Sequence, residues 1–257
     1  LARAHQERRI EKGAVIIERP DITINLEGAG ENITVSLDED PLAPKAHLLV
    51  SELMVLTNAA LAAWAKEHGV TLLHRTQDVA IPKEFSGIWQ TPLEIARVVK
   101  ALAPAVLETN PRPHAGLGEA MYAPSTSPLR RYPDMINETQ IISLLRDGKP
   151  RWSKEELDTL LPLLNAHLDA AGQVQRFRPR YWKLLYFKQQ GDRWWPAVIT
   201  DENDAFVTVN MPKEQMIVRA RRQFFGERTH PGQELEIRLG KVHPLQNDFQ
   251  LLETREI

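Results

Sequence analysis

The chain has 257 residues, which is enough for one large domain or for one domain with a small companion. Its content of 42% hydrophobic and 26% charged residues is typical of a globular protein with a sizeable core. The absence of cysteine excludes disulfide bonds and thiolate metal sites, and it fits a cytoplasmic location. The net charge of −2 excludes a global positive field, so any nucleic-acid site must come from local clusters of basic residues.

The N-terminal sequence begins at Leu1 and contains no recognisable signal peptide. By inspection, no apolar run approaches the roughly 18 residues that a membrane span requires, so we expect no contact with a membrane. The chain starts without Met and directly in helix-like sequence. Such a start is typical of the middle of a longer protein, with a processed or trimmed N-terminus as the alternative.

The N-terminal region combines a basic helix with β-prone segments. Residues 1–12 predict a helix that ends at Gly13. Residues 14–17, 22–26 and 33–37 are rich in β-branched side chains and are separated by proline and glycine. They predict three short antiparallel strands.

The strongest helix prediction covers residues 42–68, where apolar side chains recur at helical spacing and Gly69 supplies a stop. Because this segment is apolar nearly all round, we expect it to lie deep in a core. Glu52 and Asn58 are polar exceptions within it.

The next predicted helix begins at Thr91, which is followed by proline and then by Glu94 three residues after the cap. It runs to about residue 102. The proline- and glycine-rich segment 104–128 that follows predicts a long loop without secondary structure of its own. Loops of this length in compact domains are often functional.

Two further helices are predicted after this loop. One begins near Pro128 or Asp134 and runs to residue 146, with Gly148 as its stop. The other opens with the capping box at Ser153 and is long, and its internal residues Pro162 and Pro179 predict bends or breaks.

Beyond residue 183 the sequence changes to short β-prone runs that are separated by turn signals. The predicted strands cover residues 184–187, 194–200, 206–209, 216–219, 235–239 and 249–252. So many short strands within so few residues predict a small closed barrel, with the OB fold as the leading candidate.

The most informative segment reads HAGLG at residues 114–118 and TSPLRRYPD at residues 126–134. Either Ser127 or the residue before it can cap a helix there, with a proline suited to the first turn. Arg130 and Arg131 can each donate bidentate hydrogen bonds to phosphate oxygens, but neighbouring residues on a helix point in different directions. One arginine is therefore expected to meet a ligand and the other to meet protein. The alternative is a capped surface helix with two solvated arginines.

This segment resembles the signature of the RNB catalytic domain, which is shared by RNase II, RNase R and the catalytic exosome subunit. A second resemblance lies upstream, in RRIEKGA at 8–14, LVSELMVLTNAALAAW at 49–64 and LLHR at 72–75. The resemblance covers about residues 5–190. It implies an α+β fold in which residues 1–183 form the C-terminal half of an RNB domain, with helices and a short antiparallel sheet. Residues 184–257 would then form an OB-type RNA-binding barrel.

The resemblance implies a metal-dependent exoribonuclease that hydrolyses single-stranded RNA from its 3′ end and releases nucleoside 5′-monophosphates. Arg130 corresponds to the arginine that contacts the scissile phosphate in this family, and is the expected catalytic residue. Ser127, Arg131, Tyr122 and Tyr132 are the expected RNA contacts in the same segment. For Arg131 the alternative is to brace the loop together with Asp134, and for the two tyrosines it is a place in the core. Glu52 and Asn58 are expected to be buried groups that position the active-site loops.

Basic residues interleaved with aromatic ones precede and enter the barrel. Arg176, Arg178 and Arg180 lie in one such stretch, and Arg221 lies in another. Cations that follow phosphates beside rings that stack on bases suit a single strand of RNA. The alternative is an ordinary amphipathic helix followed by a solvated strand edge.

The family's metal site requires a cluster of aspartates spaced as D-x5-D-x-D-D, and this chain contains none. We therefore expect magnesium or manganese to be bound mainly by residues outside this chain. The expected partners are single-stranded RNA and the N-terminal half of the same protein, and the oligomeric state stays open. An ungapped alignment also places Gln175 where the family has a glutamate. The missing carboxylates and Gln175 leave open a catalytically inactive RNA-binding or regulatory protein of the same fold. A third interpretation is an OB-containing protein with no role in RNA.

Overall fold

The computed structural model describes residues 1–40, 44–226 and 228–257. These residues form two compact units. The first unit comprises Leu1–Ile17, Ala43–Trp89 and Val98–Asp169, and the second comprises Glu18–Leu42, Gln90–Arg97 and Ala170–Ile257. The helices are α1 Ala2–Glu11, α2 Pro44–Glu67, α3 Pro92–Ala101, α4 Tyr132–Asp147 and α5 Lys154–Gln190. The strands are β1 Val15–Ile17, β2 Ile22–Glu27, β3 Thr34–Glu39, β4 His74–Thr76, β5 Gly87–Trp89, β6 Val106–Glu108, β7 Trp194–Glu202, β8 Phe206–Met211, β9 Met216–Arg221, β10 Glu234–His243 and β11 Asp248–Glu256.

Strand pairing near the N-terminus differs from the prediction of three antiparallel strands. β2 and β3 do form an antiparallel hairpin, in which Ile24 lies opposite Leu37. β1 instead pairs in parallel with β5, more than seventy residues away along the chain, so that Ile16 lies opposite Ile88. β-propensity identified the strand correctly, but the partner of a parallel pair is always remote in sequence, because a crossover must separate the two strands.

The core of the first unit forms around the C-terminal half of α2. Ala62 and Ala65 of this helix pack with Val70 and Leu72, and a neighbouring cluster joins Ile136 of α4 to the first turns of α5. The helix ends at Glu67, one residue before the predicted end. The first of its predicted residues, Leu42, lies outside the described residues.

The prediction that α2 is buried on all sides is wrong for this chain. Leu49, Val50, Leu53 and Leu56 expose 49%, 57%, 40% and 37% of their surface, respectively. Composition predicts that an apolar face needs a cover, but it does not say which part of a protein supplies that cover.

Helix α2 is also long and apolar enough to cross a membrane, with a mean hydropathy of 1.6 in its most apolar window between Lys45 and Glu67. The prediction that no apolar run reaches this length is therefore wrong as a statement about composition. The core helix of a soluble protein passes the same test, so this finding alone is weak evidence for a membrane.

The segment predicted as a featureless loop contains short regular elements. β6 pairs with β4 through Leu107 and Arg75, and a 3-10 turn covers Ala115–Leu117. The following helix, α4, begins at Tyr132 and ends before Gly148, which adopts φ 71°. Its start lies between the two predicted positions, and Pro133 occupies its first turn.

Helix α5 begins with the predicted capping box, in which the Ser153 hydroxyl accepts from the Glu156 amide at 3.2 Å and the Glu156 carboxylate accepts from the Ser153 amide at 2.8 Å. The helix then continues for 37 residues through Pro162 and Pro179, so the predicted breaks are absent from this described segment. Each proline removes only one backbone hydrogen bond, and tertiary packing can compensate for that loss.

The predicted strand at residues 184–187 is also wrong, because these residues form the last turns of α5. Leu184 and Phe187 are buried in the core of the second unit, beside Trp195. Their apolar pattern signals burial, which a short apolar run can achieve in a helix as well as in a strand.

The second unit contains a curled antiparallel sheet of five strands in the order β11-β10-β7-β8-β9. Alternate side chains such as Ile199, Val209 and Ile237 face one apolar core. The connectivity matches an OB fold, and the predicted fold class of helices with a small OB-type barrel is confirmed. The barrel is a half-barrel rather than a closed one, because β9 and β11 are edge strands. Near this opening, the Thr254 hydroxyl donates to the Phe224 carbonyl at 2.7 Å. The predicted division between residues 183 and 184 falls inside α5 and stays a prediction.

Candidate active site

The segment between β6 and α4 carries Arg130 and lies within the first unit. Its last residues form a tight turn around Ser127, whose carbonyl accepts from the amides of Arg130 and Arg131 at 3.2 and 3.0 Å. Arg131 is the residue that precedes α4, and no side chain caps the helix there. The prediction that Thr126 or Ser127 caps this helix is therefore wrong, because both residues lie in the turn before it.

The two arginines make different contacts. Arg131 donates from Nη2 to Asp134 Oδ1 at 2.6 Å, and that carboxylate is only 1% exposed. Arg130 is exposed, and its Nη2 lies 3.2 Å from the Ser127 hydroxyl. The expectation that the two side chains diverge is confirmed. Arg131 is committed to protein, whereas most of the Arg130 guanidinium is open to a ligand.

Asn58 of α2 fixes the middle of this segment. Its side-chain oxygen accepts from the Ser125 amide at 2.9 Å, and its side-chain nitrogen donates to the Tyr122 hydroxyl at 2.8 Å. Asn58 is fully buried. Because a buried amide without partners is costly, the geometry of helix and loop is linked. Asn58 thus occupies the buried, loop-contacting position predicted for it.

Asn137 of α4 adds a second buried amide. It accepts from the Leu73 amide at 2.7 Å and donates to the Pro124 carbonyl at 2.8 Å. The sequence prediction missed this residue and did not assign Gln77, whose side-chain oxygen accepts from the Gly116 amide at 2.8 Å. Asn137 does not stand out as a polar residue on an apolar helix face, because Asp134 and Gln140 are buried on the same helix. No signal in the sequence identified Gln77 either.

Glu52 anchors the beginning of the segment through Arg9. Its carboxylate accepts from Arg9 Nε at 3.0 Å and from His5 Nδ1 at 2.7 Å, while Arg9 Nη1 donates to the Leu117 carbonyl at 2.8 Å. Burial by itself would raise the pKa of Glu52, but the hydrogen bonds from Arg9 and His5 outweigh it and lower the pKa. The carboxylate therefore stays ionised and holds the arginine that fixes the loop.

Gly118 closes the loop where no side chain fits. Its φ is +66°, and a Cβ built there would lie 2.5 Å from the Arg9 carbonyl oxygen. Gly148 has a similar φ of +71° but has no atom within 4 Å of its Cβ position. We expect Gly118→Ala to lower the free energy of unfolding by about 1–3 kcal/mol more than Gly148→Ala does, because only the first adds a steric clash to the backbone strain. Equal losses in chemical denaturation would contradict the tight approach.

Two buried histidines near the segment are neutral. Burial lowers the pKa of His74 to about 4, which nearby Glu108 only partly opposes. Burial also lowers the pKa of His114 to about 4, and nearby Arg75 lowers it further. Neither Nδ1 atom has a hydrogen-bond partner among the described residues. Neither histidine was assigned a role from the sequence.

These histidines predict acid sensitivity. The unfolded chain binds their protons near pH 6.5, but the folded chain does so only near pH 4, so stability should fall as the pH drops through this window. His114→Phe, which removes one titrating group and keeps a ring against Tyr122, should flatten this dependence in denaturation experiments. His230→Phe, at an exposed site, should leave the slope unchanged. A His114→Phe slope equal to that of the wild type would contradict this explanation.

The remaining predicted RNA contacts occupy different environments. Tyr132 is 51% exposed, whereas Tyr122 is 8% exposed and its hydroxyl is bonded to Asn58. Tyr122 therefore lies in the core, which was the alternative to an RNA contact. A contact between Tyr122 and RNA stays a prediction. Ser127 is partly exposed beside Arg130.

In the second unit, Arg176 and Arg178 are exposed on α5, and Arg221 is exposed at the end of β9. Arg180 is partly buried and tethered, since its Nε donates to Asn247 Oδ1 at 2.5 Å. The basic and aromatic stretch that contains Arg176, Arg178 and Arg180 is therefore helical, as the alternative interpretation of an amphipathic helix required.

The two edge strands of the half-barrel line a groove that carries cationic and aromatic side chains. Arg219 lies over the Phe206 ring at 4.4 Å, and Arg180 lies over the Phe249 ring at 5.7 Å. Phe224 and Arg221 also line this groove. Guanidinium groups and rings arranged in this way can contact the phosphates and bases of a single strand.

Within the parts of the chain that the structure describes, no group of three or more His, Asp or Glu side chains could hold a metal ion. Two buried carboxylates that hold this segment are already paired, with Asp134 bonded to Arg131 and Glu52 bonded to Arg9. The described residues therefore do not by themselves fit a divalent cation of the kind that the resemblance implies.

Comparison with curated proteins finds ribonucleases. The chain is 25% identical to an uncharacterized ribonuclease of Synechocystis sp., over 98% of this chain and 38% of that protein. It is 24% identical to the mitochondrial exoribonuclease II of Saccharomyces cerevisiae, over 74% of this chain and 21% of that protein. The chain thus spans well under half the length of these relatives.

Comparison with solved structures finds the same fold. An active-site mutant of the Dss1 exoribonuclease from Candida glabrata matches 97% of this chain and 34% of its own, with a TM-score of 0.80 and 22% identity. Mycoplasma genitalium RNase R in complex with ribose-methylated single-stranded RNA matches 98% of this chain and 48% of its own, with a TM-score of 0.74 and 16% identity. Yeast Ssd1, a pseudonuclease, matches 81% of this chain and 29% of its own, with a TM-score of 0.55 and 14% identity.

The family assignment rests on the part of the chain that runs from α1 to α4 and includes the segment that carries Arg130. The RNB domain model matches residues 1–147, which is more than half of the 257-residue chain. The chain therefore belongs to the RNB domain family.

Proposed function

We propose that this chain is part of a hydrolytic exoribonuclease that degrades single-stranded RNA from its 3′ end to nucleoside 5′-monophosphates. The observation that carries this proposal is the exposed Arg130 guanidinium at the end of a loop that buried side chains hold in place. Membership of the RNB domain family supports the reaction class.

Arg130 would contact the phosphate whose bond to the next nucleotide is cleaved. A fixed cation at that point neutralises the charge that builds up on the phosphate oxygens in the transition state. The turn that carries it is hydrogen-bonded at the amide, the carbonyl and the hydroxyl of Ser127, which would restrict its movement before RNA arrives. Preorganisation of this kind reduces the reorganisation needed during the reaction.

Magnesium or manganese would be held mainly by residues outside this chain, because its described residues do not form a cation site. The exposed apolar face of α2 supports the N-terminal half of the same protein as the partner that covers it.

The groove between β9 and β11 would hold single-stranded RNA, as its paired arginines and rings favour. We expect the double substitution Arg219→Ala and Arg221→Ala to weaken RNA binding. It should also reduce the slope of log affinity against log salt by about 0.7 for each phosphate that the protein no longer neutralises. Fluorescence anisotropy with the full-length protein and labelled oligoadenylate at several salt concentrations measures both quantities.

The matched control for this groove is the double substitution Arg146→Ala and Arg151→Ala, which removes the same charge from exposed positions in the first unit. The salt slope should keep its wild-type value in this control. If the two double variants reduce affinity and slope equally, a general charge effect explains the result and the groove is not an RNA site.

A catalytically inactive RNA-binding protein is the second candidate. It is favoured because the described residues contain no cluster of metal ligands, and because the fold is similar to that of yeast Ssd1, a pseudonuclease. Incubation of the full-length protein with 5′-labelled single-stranded RNA and magnesium separates the two candidates. Stepwise shortening that stops when the metal is chelated supports the nuclease. Salt-sensitive binding without shortening supports the inactive protein, and absence of binding at low salt excludes both.

A further inference from the structure

We infer that Asp134 is a positioning residue that sets the place of Arg130 through Ser127. This inference rests on the proposed function, in which Arg130 meets an RNA phosphate. Asp134 itself is only 1% exposed, so it cannot contact RNA directly.

One carboxylate oxygen of Asp134 contacts both Ser127 and Arg131. Its Oδ1 accepts from the Ser127 amide at 2.9 Å and from Arg131 Nη2 at 2.6 Å. The ion pair balances the buried charge, and the bond to the amide fixes the turn in space. Asp134 also lies in the first turn of α4, where the helix dipole favours a negative charge.

Ser127 then transmits this position to Arg130. Its carbonyl accepts from the Arg130 amide at 3.2 Å, and its hydroxyl accepts from Arg130 Nη2 at the same distance. Backbone and guanidinium of Arg130 are thus both tied to a residue that Asp134 holds. A shift of Ser127 would therefore move the cation relative to the phosphate, and small misplacements of a catalytic group reduce rates strongly.

Asp134 also determines which of the two adjacent arginines is available. By pairing with Arg131, it holds that guanidinium against protein, and it leaves Arg130 as the exposed cation of the pair. The partly exposed Arg131 has a second contact, at 3.4 Å, with the Thr126 hydroxyl. The selection between the arginines is thus made by a buried residue of α4.

The test is a double-mutant cycle in the full-length protein with 5′-labelled single-stranded oligoadenylate. Asp134→Ala should lower kcat by about tenfold while KM stays within about twofold, because the contact that it sets acts in the transition state. In an Arg130→Ala background, where residual cleavage is followed at high enzyme concentration, Asp134→Ala should have no further effect. Asp134→Asn, which keeps an oxygen for the Ser127 amide, should lose less than Asp134→Ala.

The cycle separates positioning from a general structural role. Equal losses from Asp134→Ala in the wild-type and Arg130→Ala backgrounds would overturn the inference, as would equal losses in the Asn and Ala variants. Asp147→Ala, at the exposed C-terminal end of the same helix, should leave kcat unchanged. If Asp134→Ala does not fold, the cycle is run with Asp134→Asn, whose smaller loss must likewise vanish without Arg130.

A readout independent of catalysis distinguishes this inference from the proposed function. Amide hydrogen exchange at residues 125–131 should accelerate in Asp134→Ala and stay unchanged in Asp147→Ala. Unchanged exchange in Asp134→Ala would overturn the positioning role even if RNA is cleaved. If the full-length protein cleaves no RNA, the nuclease proposal fails. The same cycle is then measured on RNA affinity, where additive losses from Asp134→Ala and Arg130→Ala overturn the positioning role.

Discussion

Arg130→Ala should lower the turnover of single-stranded RNA by about 10²- to 10³-fold, the loss typical of removing one preorganised contact to transition-state charge. Because the Arg130 side chain is exposed and bonded only to the Ser127 hydroxyl among the described residues, the melting temperature should stay close to that of the wild type. Single-turnover cleavage of 5′-labelled RNA by the full-length protein measures the first quantity, and thermal unfolding measures the second.

The matched control is Arg146→Ala, which removes an exposed arginine from the far end of α4. Its turnover should equal that of the wild type. Arg130→Lys keeps the charge but loses the bidentate geometry, so it should recover only part of the wild-type rate. Wild-type turnover in Arg130→Ala would remove Arg130 from the reaction and would leave the family assignment without its proposed chemistry.

Glu52→Ala should destabilise the protein by about 3–5 kcal/mol, because it leaves the buried Arg9 guanidinium without its counter-ion. Arg9 is 5% exposed and Glu52 is 2% exposed, so water cannot replace the missing partner. Chemical denaturation of the full-length protein measures the free energy of unfolding. Activity should fall as well, since Arg9 also holds the Leu117 carbonyl in the loop that carries Arg130.

Glu67→Ala is the control for this effect, because Glu67 lies on the same helix but is exposed. It should change the free energy of unfolding by less than about 0.5 kcal/mol. The pH dependence has a definite sign: the lowered pKa of Glu52 gives stability that is present above the ordinary value of 4.5 and is lost as pH falls further. A loss in Glu52→Ala no larger than that in Glu67→Ala would show that Arg9 finds another partner.

The turn and the charged side chains of the loop could be predicted from the sequence, because they depend on residues that are close together along the chain. The run TSPLRRYPD places a turn, two arginines and an aspartate within one short segment, and the structure keeps them together. The residue that caps α4 could not be predicted, since the side chains of Ser127 and Asp134 can each make several different local hydrogen bonds. Their contact is set by where α4 begins, at Tyr132.

The residues elsewhere in the chain that contact this loop were harder to predict from the sequence. Glu52 and Asn58 stood out as polar residues in an apolar helix, so their burial could be expected. Gln77 and Asn137 contact the same loop without such a signal. A side-chain amide is equally compatible with solvent and with a buried backbone partner, and only the packed structure distinguishes the two.

By itself, the sequence determined the segments that are helical or extended over most of the chain, including most strands of the barrel, and the loop that carries Arg130. Each depends on periodicity, capping or motif order within a short span. Only the tertiary structure decided that β1 pairs with β5, that residues 184–187 belong to α5, and that the barrel stays open between β9 and β11. It also decided that one face of α2 is uncovered and that Asp134 takes Arg131 rather than Arg130. These outcomes depend on contacts between residues far apart in the chain or on side-chain directions, which local patterns do not encode.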